Sequence, residues 1–212
     1  MKKILSATWL LLIPVTLWAQ PQPVGSVAVY SDGSVEKLIQ INAQSTTWQD
    51  GRKRILEYAN VPILQRRSFT KFPATESYQE HIAFGVPAEI IPFGTADSVI
   101  FTLRREFSEG GHTMRYWQCA HKGQGQYQLG ERTLTTEQYH CERYVPHKKS
   151  MYSMFRESVD LAYSPDLSMV VEKVRKTQTK KTRRKLVSLL APEQVSEQKI
   201  LKLVKRIHGD KS

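Results

Sequence analysis

The sequence predicts a mainly β fold: antiparallel sheets forming a curved sheet or barrel-like sandwich, with a short C-terminal amphipathic α-helix. Three observations carry this. Short β-prone runs recur from Val24 to Leu190, broken by turn residues at short spacing. Two Asp-Gly pairs, Asp32-Gly33 and Asp50-Gly51, each sit between two such runs. No long helical pattern intervenes before Pro192, so consecutive strands are expected to pair.

Residues 1–19 read as a secretory signal peptide. Lys2 and Lys3 precede an apolar run from Ile4 to Val15, and Ala19 marks the cleavage position. The run is too short to cross a bilayer. Nothing later is long and apolar enough to span, so the expected product is a soluble protein, periplasmic or secreted after cleavage near Ala19.

Residues 20–95 are expected to form an N-terminal β-hairpin region with an irregular wrap. "GSVAVYS" and "SVEKLIQIN" flank Asp32-Gly33; "TTWQ" and "RKRILEYA" flank Asp50-Gly51. Asp-Gly between β-prone runs favours a type I′ hairpin turn, which needs positive φ at both central residues. A calcium loop would need oxygen ligands at alternate positions, and the neighbours of these pairs are too poor in them. From Asn60 to Gly94 the chain carries Pro62, Pro73, Pro87 and Pro92 and shows little period, which predicts an irregular stretch.

Residues 96–191 are expected to form a disulfide-bearing antiparallel β region. "DSVIFTLRREF" and "TMRYWQCAHK" flank "SEGGH". "QYQLGERTLT", "EQYHCERYV", "SMYSMFRESVDLAY", "SMVVEKVRK" and "KKTRRKLVSLL" follow as further strands. Residues 192–212 form the basic tail: Pro192 opens and Gly209 closes a predicted helix. Its apolar face holds Ile200, Leu203, Val204 and Ile207, with lysines opposite. This helix is expected to cap the sheet rather than lie on a membrane.

The order "VYSDG", "WQDGRKR", "NVPIL", "IIPFG", "RYWQC", "YHCERY", "AYSPDLSMVVEKVRK" and "RKLVSLL" resembles a loose group of uncharacterised exported β-rich bacterial proteins of proteobacterial type. The resemblance covers roughly Val24 to Leu190. Where similar proteins commonly read Pro-Ala-Gly-Thr, this chain has Leu134-Thr135-Thr136-Glu137. The resemblance implies fold and export, and it transfers no site residue.

Cys119 and Cys141 are the two cysteines. In an oxidising compartment they are expected to form a disulfide, closing a loop with a chain-entropy stabilisation of about 3 kcal/mol. His121 and His140 flank them. Alternation puts His140 and Cys141 on opposite strand faces, so the four residues are not expected to bind zinc. Neither a metal nor a cofactor is expected. No G-x-S-x-G or H-E-x-x-H occurs, and nothing selects a pair among Glu106, Glu157 and Asp160. No catalytic residue is assigned.

Charge is the strongest functional signal. The chain carries a formal +11, falling by two to +9 once Lys2 and Lys3 leave with the signal peptide. From Lys173 to Lys185 run eight basic residues and no acid: Lys173, Arg175, Lys176, Lys180, Lys181, Arg183, Arg184 and Lys185. Like charges facing each other across a hairpin repel, and a bound anion would offset that. Lysines on a solvated edge strand would equally discourage aggregation. Tyr116, Trp117, Tyr127, Tyr139, Tyr144, Tyr152, Phe155 and Tyr163 crowd the second region, as core or as a cavity wall.

The expected function is therefore a non-enzymatic envelope protein binding an anionic polymer, lipid or protein partner through the basic hairpin, in the manner of an assembly factor. Nucleic acid is not expected as a partner. A carrier of an apolar ligand in an aromatic-lined cavity is the alternative, and an enzyme of unrecognised type is the second.

Overall fold

The computed structural model describes residues 22–43, 45–59, 65–71, 76–84, 98–107, 109–146 and 153–209. The expected signal peptide, residues 1–19, lies outside them. Twelve strands are formed among the described residues: β1 (Val27–Tyr30), β2 (Val35–Asn42), β3 (Ser45–Asp50), β4 (Arg54–Ala59), β5 (Gln65–Lys71), β6 (Glu76–Phe84), β7 (Val99–Phe107), β8 (His112–Leu129), β9 (Arg132–Pro146), β10 (Ser153–Ser164), β11 (Met169–Thr177) and β12 (Lys181–Leu190). Each pairs antiparallel with its sequence neighbours, and β1 pairs with β12, with Val27 opposite Leu190. The meander is thus a closed barrel, the mainly β antiparallel fold expected. Strands before and after residue 95 belong to one ring. Closure leaves no unpaired sheet edge.

Both Asp-Gly pairs lie at hairpin turns, but not of type I′. In the first, Gly33 N–H donates to the Tyr30 carbonyl at 2.9 Å, and Gly33 has φ 84°. In the second, Lys53 N–H donates to the Asp50 carbonyl at 2.9 Å, and Lys53 carries the left-handed φ of 61°. These are three-residue loops ending in a left-handed residue. The two pairs sit at different places in that loop. Asp50 opens its turn, its carboxylate accepting from Arg52 N–H at 2.9 Å and Arg54 N–H at 2.8 Å.

Other expectations need correcting. The stretch from Asn60 to Gly94 contributes β5 and β6. These strands run between the prolines at 62, 73 and 87, and "QRRSFTK" has too few apolar residues to show a period of two. The three strands expected between 112 and 146 are two long ones, of 18 and 15 residues. "QYQLGERTLT" is itself a hairpin, folding at Gly130-Glu131, where Gly130 has φ 59°. A bulge around Gly123, φ 94°, shifts the register by one residue between His121 and Gln124, and pairing continues beyond it. Pro192 opens a 3-10 turn (Pro192–Gln194) rather than the helix. The helix α1 runs over Glu197–Gly209, with Ser196 Oγ accepting from Lys199 N–H at 3.2 Å.

Packing is divided by face. Ala28 and Tyr30 point inward, joining Leu38, Trp48, Leu129, Leu134, Leu167 and Leu186 in one apolar cluster. Val27 and Val29 point outward and are covered by Ile200, Leu203, Val204 and Ile207 of α1. Strand β1 is therefore buried on both faces, which is why "VAVY" is an unbroken apolar run. The helix covers the outside of the wall beside the β1–β12 seam.

Candidate functional site: the barrel lumen

Twelve strands enclose more space than side chains readily fill. Inside lies a cavity of about 560 Å³. Tyr30, Trp48, Tyr58, Phe101, Trp117 and Tyr163 supply its aromatic wall. Among the described residues five cations also line it, Arg105, Arg115, Lys173, Arg175 and Arg184, against two carboxylates, Glu36 and Glu157.

Strand parity places these groups. Cys119 and Cys141 face each other directly on β8 and β9, with Cα atoms 4.0 Å apart, and form the expected disulfide. Both are fully buried in the inner cluster with Phe101, Leu103, Val159 and Leu161. Trp117 and Arg115, two and four residues before Cys119 and so on the same strand face, line the cavity. On β10, Glu157, Val159, Leu161 and Tyr163 alternate inward.

The carboxylates are both committed. Glu36, only 4% exposed, accepts from Arg184 at 2.6 Å and from the Tyr30 hydroxyl at 3.2 Å. The Arg184 guanidinium also stacks 3.5 Å from the Tyr30 ring and donates to Ser34 Oγ at 3.0 Å. Burial, then the Glu36 charge, holds the Tyr30 phenol well above its ordinary range. Glu157, 3% exposed, accepts from Arg143 at 2.6 Å and from Arg175. Burial pushes its carboxyl up, but hydrogen bonds from Arg175 and Arg143 outweigh that and leave it below the ordinary carboxylate range.

Arg105, Arg115 and Lys173 pair with no carboxylate among the described residues. Lys173 is reached by solvent although the barrel wall surrounds it, so the lumen is solvent-accessible. That crowding, then the charges of Arg184 and Arg175, lowers its ammonium from the ordinary lysine value. Burial, then Arg105 and Arg143, likewise lowers Arg115.

The basic run divides across the wall. Lys173, Arg175 and Arg184 line the lumen. Lys176 pairs with Asp160 at 3.4 Å and Arg183 with Glu172 at 2.5 Å, away from the lumen. Lys180, Lys181 and Lys185 neither line the cavity nor pair with an acid among the described residues. The hairpin itself is as expected, with Lys173 opposite Arg184 and Lys176 opposite Lys181. The run holds no acid of its own, but the fold brings Asp32, Glu36, Glu157, Asp160 and Glu172 to these cations, so a bound anion is not needed to offset the repulsion at each of them. A linear scan misses them because all five lie outside the run.

Of the aromatic set, Trp117 and Tyr163 line the cavity and Tyr127 and Tyr139 are core. Tyr116 and Phe155 are exposed, Tyr144 packs edge-on against Phe155, and Tyr152 lies outside the described residues. His140 bonds Asp160 at 2.5 Å and His121 bonds Glu137 at 2.6 Å, so neither joins the cysteines. Glu106 pairs with Arg104 at 2.7 Å, apart from Glu157.

Fold and cavity together define a class: a closed antiparallel barrel with a cationic, aromatic-walled lumen. No family model matches the chain, and no curated protein matches it. Among solved structures, the hypothetical lipoprotein YmcC from Escherichia coli (K12) is similar at a TM-score of 0.49 and 7% identity, over 77% of this chain and 82% of that one.

Proposed function

We propose that this is a non-enzymatic, exported envelope protein that binds a partly apolar organic anion inside its barrel. The observation that carries this reading is the charge of the lumen, among the described residues five cations against two carboxylates around a solvent-accessible, aromatic-walled cavity. An anion entering it meets charges already desolvated on one side, where attraction is stronger than on an open surface. The aromatic wall takes the apolar part of the same ligand. The two ligand chemistries expected from the sequence, anionic and apolar, thus combine in one site. The opposite face carries ion pairs such as His140–Asp160 and Arg183–Glu172, which suits a barrel standing in water rather than in lipid.

The test is titration with 2-naphthoate and with neutral 2-naphthol, followed by tryptophan fluorescence. The anion should bind and the alcohol should bind at least tenfold more weakly. Arg115→Gln with Lys173→Gln should abolish that preference, and Lys180→Gln with Lys181→Gln should leave it intact. Equal binding of anion and alcohol would remove the proposal.

A second reading has one observation behind it: Lys180 and Lys181 are exposed at the hairpin tip without acids. An anionic polymer binding there would lose affinity only in the Lys180/Lys181 variant.

A further inference from the structure

Resting on the lumen reading above, we infer that the ligand carries a tetrahedral oxyanion, a phosphate or sulfate ester, seated on the β7–β8 wall between Arg105 and Arg115. In the ladder Leu103 faces Arg115 and Arg105 faces Thr113. The two arginines are therefore diagonal neighbours on one face, close enough to interact. Both line the cavity.

The lumen's other arginines have acids. Arg175 has Glu157 and Arg184 has Glu36. The Arg105–Arg115 pair has no ion-pair partner among the described residues; burial, then the charge of Arg105, lowers Arg115, although Glu157 acts the other way. Arg105 Nε is buried with no hydrogen-bond acceptor. Its guanidinium lies 4.5 Å from the Phe107 ring centroid, which holds it in place. Trp117 Nε1, the next inward donor on β8, is also buried without an acceptor.

Among the described residues, Arg105 Nε and Trp117 Nε1 on this stretch of wall are thus donors without an acceptor. A buried donor left unpaired costs its desolvation without return, so the wall is complete only with an acceptor-rich group in place. A carboxylate has two oxygens, so two guanidinium groups sharing it receive one bond each, as Arg143 and Arg175 do from Glu157. A phosphate or sulfate ester presents three free oxygens, enough for two forks and an indole N–H. Arginine at both positions fits as well, because its planar fork suits bidentate oxyanion recognition better than a lysine point charge. Phe101 and Leu103 beside the pair receive the organic part.

The experiment compares 2-naphthyl phosphate, 2-naphthyl sulfate and 2-naphthoate, which share one ring system, by calorimetric titration of the purified protein. Both esters should bind at least tenfold more tightly than the carboxylate. Arg105→Lys and Arg115→Lys keep the charge and should erase the ester preference. Arg115→Gln relieves the repulsion and should raise the melting temperature without ligand, which separates lost recognition from lost folding. A carboxylate that matches the esters, or an ester preference that survives both lysine variants, overturns the inference. Binding of 2-naphthoate over 2-naphthol would in that case still stand for the broader reading.

Discussion

Single residues set the strain and charge of this barrel. Lys53 occupies a left-handed position that costs an ordinary side chain about 1–2 kcal/mol. Lys53→Gly should therefore raise stability by about 1 kcal/mol in urea melts and leave lumen binding unchanged. Gly33 is held differently. Its φ of 84° coincides with close approach by His208, whose Nε2 would stand 2.6 Å from an added Cβ, so Gly33→Ala meets both strain and a clash. Glu157 contributes through pH. Its folded-state pKa is lowered, so its stabilisation is complete above the ordinary carboxylate value and is lost as pH falls through the folded value. Acid titration of the melting temperature should show a decline setting in below about pH 4.5. Glu157→Gln should flatten that decline and lower stability at neutral pH.

At the scale of elements, parity decides what each strand does. The β11–β12 hairpin turns Lys173, Arg175 and Arg184 to the lumen and pairs Arg183 with Glu172 away from it. One basic run in sequence becomes two surfaces. The β8–β9 hairpin is pinned by Cys119–Cys141, at directly opposed positions. Mass analysis of non-reduced protein should show two hydrogens fewer than the reduced chain. Cys119→Ser should lower stability by about 2–5 kcal/mol in denaturant melts. The apolar face of α1 is taken by β1 and β12 on the outside of the wall, and not by the open sheet end that the sequence predicts it to cap. Leu203→Asp should release the helix from that wall and expose Val27 and Val29.

For the whole molecule, the decisive contact is the seam. Arg184 of β12 reaches Glu36 of β2 across β1, and its neighbours Asp32 and Ser34 belong to the β1–β2 turn. The last hairpin is thereby tied to the first. Removing Arg184 leaves Glu36 buried without its charge partner, a change that costs about 3–5 kcal/mol. Arg184→Gln should lose about that much, and the double variant with Glu36→Gln should recover most of it in a double-mutant cycle.

The sequence by itself determined the local features. Turn residues marked most hairpins, the paired cysteines announced the disulfide, and amphipathic spacing located the C-terminal helix. Each rests on residues close in the chain, or on chemistry that needs no geometry. Part of the lumen was legible as well: once Cys119 is inside, strand alternation places Trp117 and Arg115 inside with it. Tertiary structure alone decided the rest. Turn type escaped the Asp-Gly pairs because the left-handed position depends on strand register, which put Gly33 there in one loop and Lys53 in the other. Strands β5 and β6 were hidden because too few apolar residues show their period. Closure is a contact between β1 and β12, at opposite ends of the meander, and no local pattern encodes it. That contact turns a sheet into a vessel and brings Arg184 of β12 its acid, Glu36 of β2, while Arg175 and Lys176 take theirs from the adjoining strand β10, because charges compensate by distance in space and not by separation along the chain.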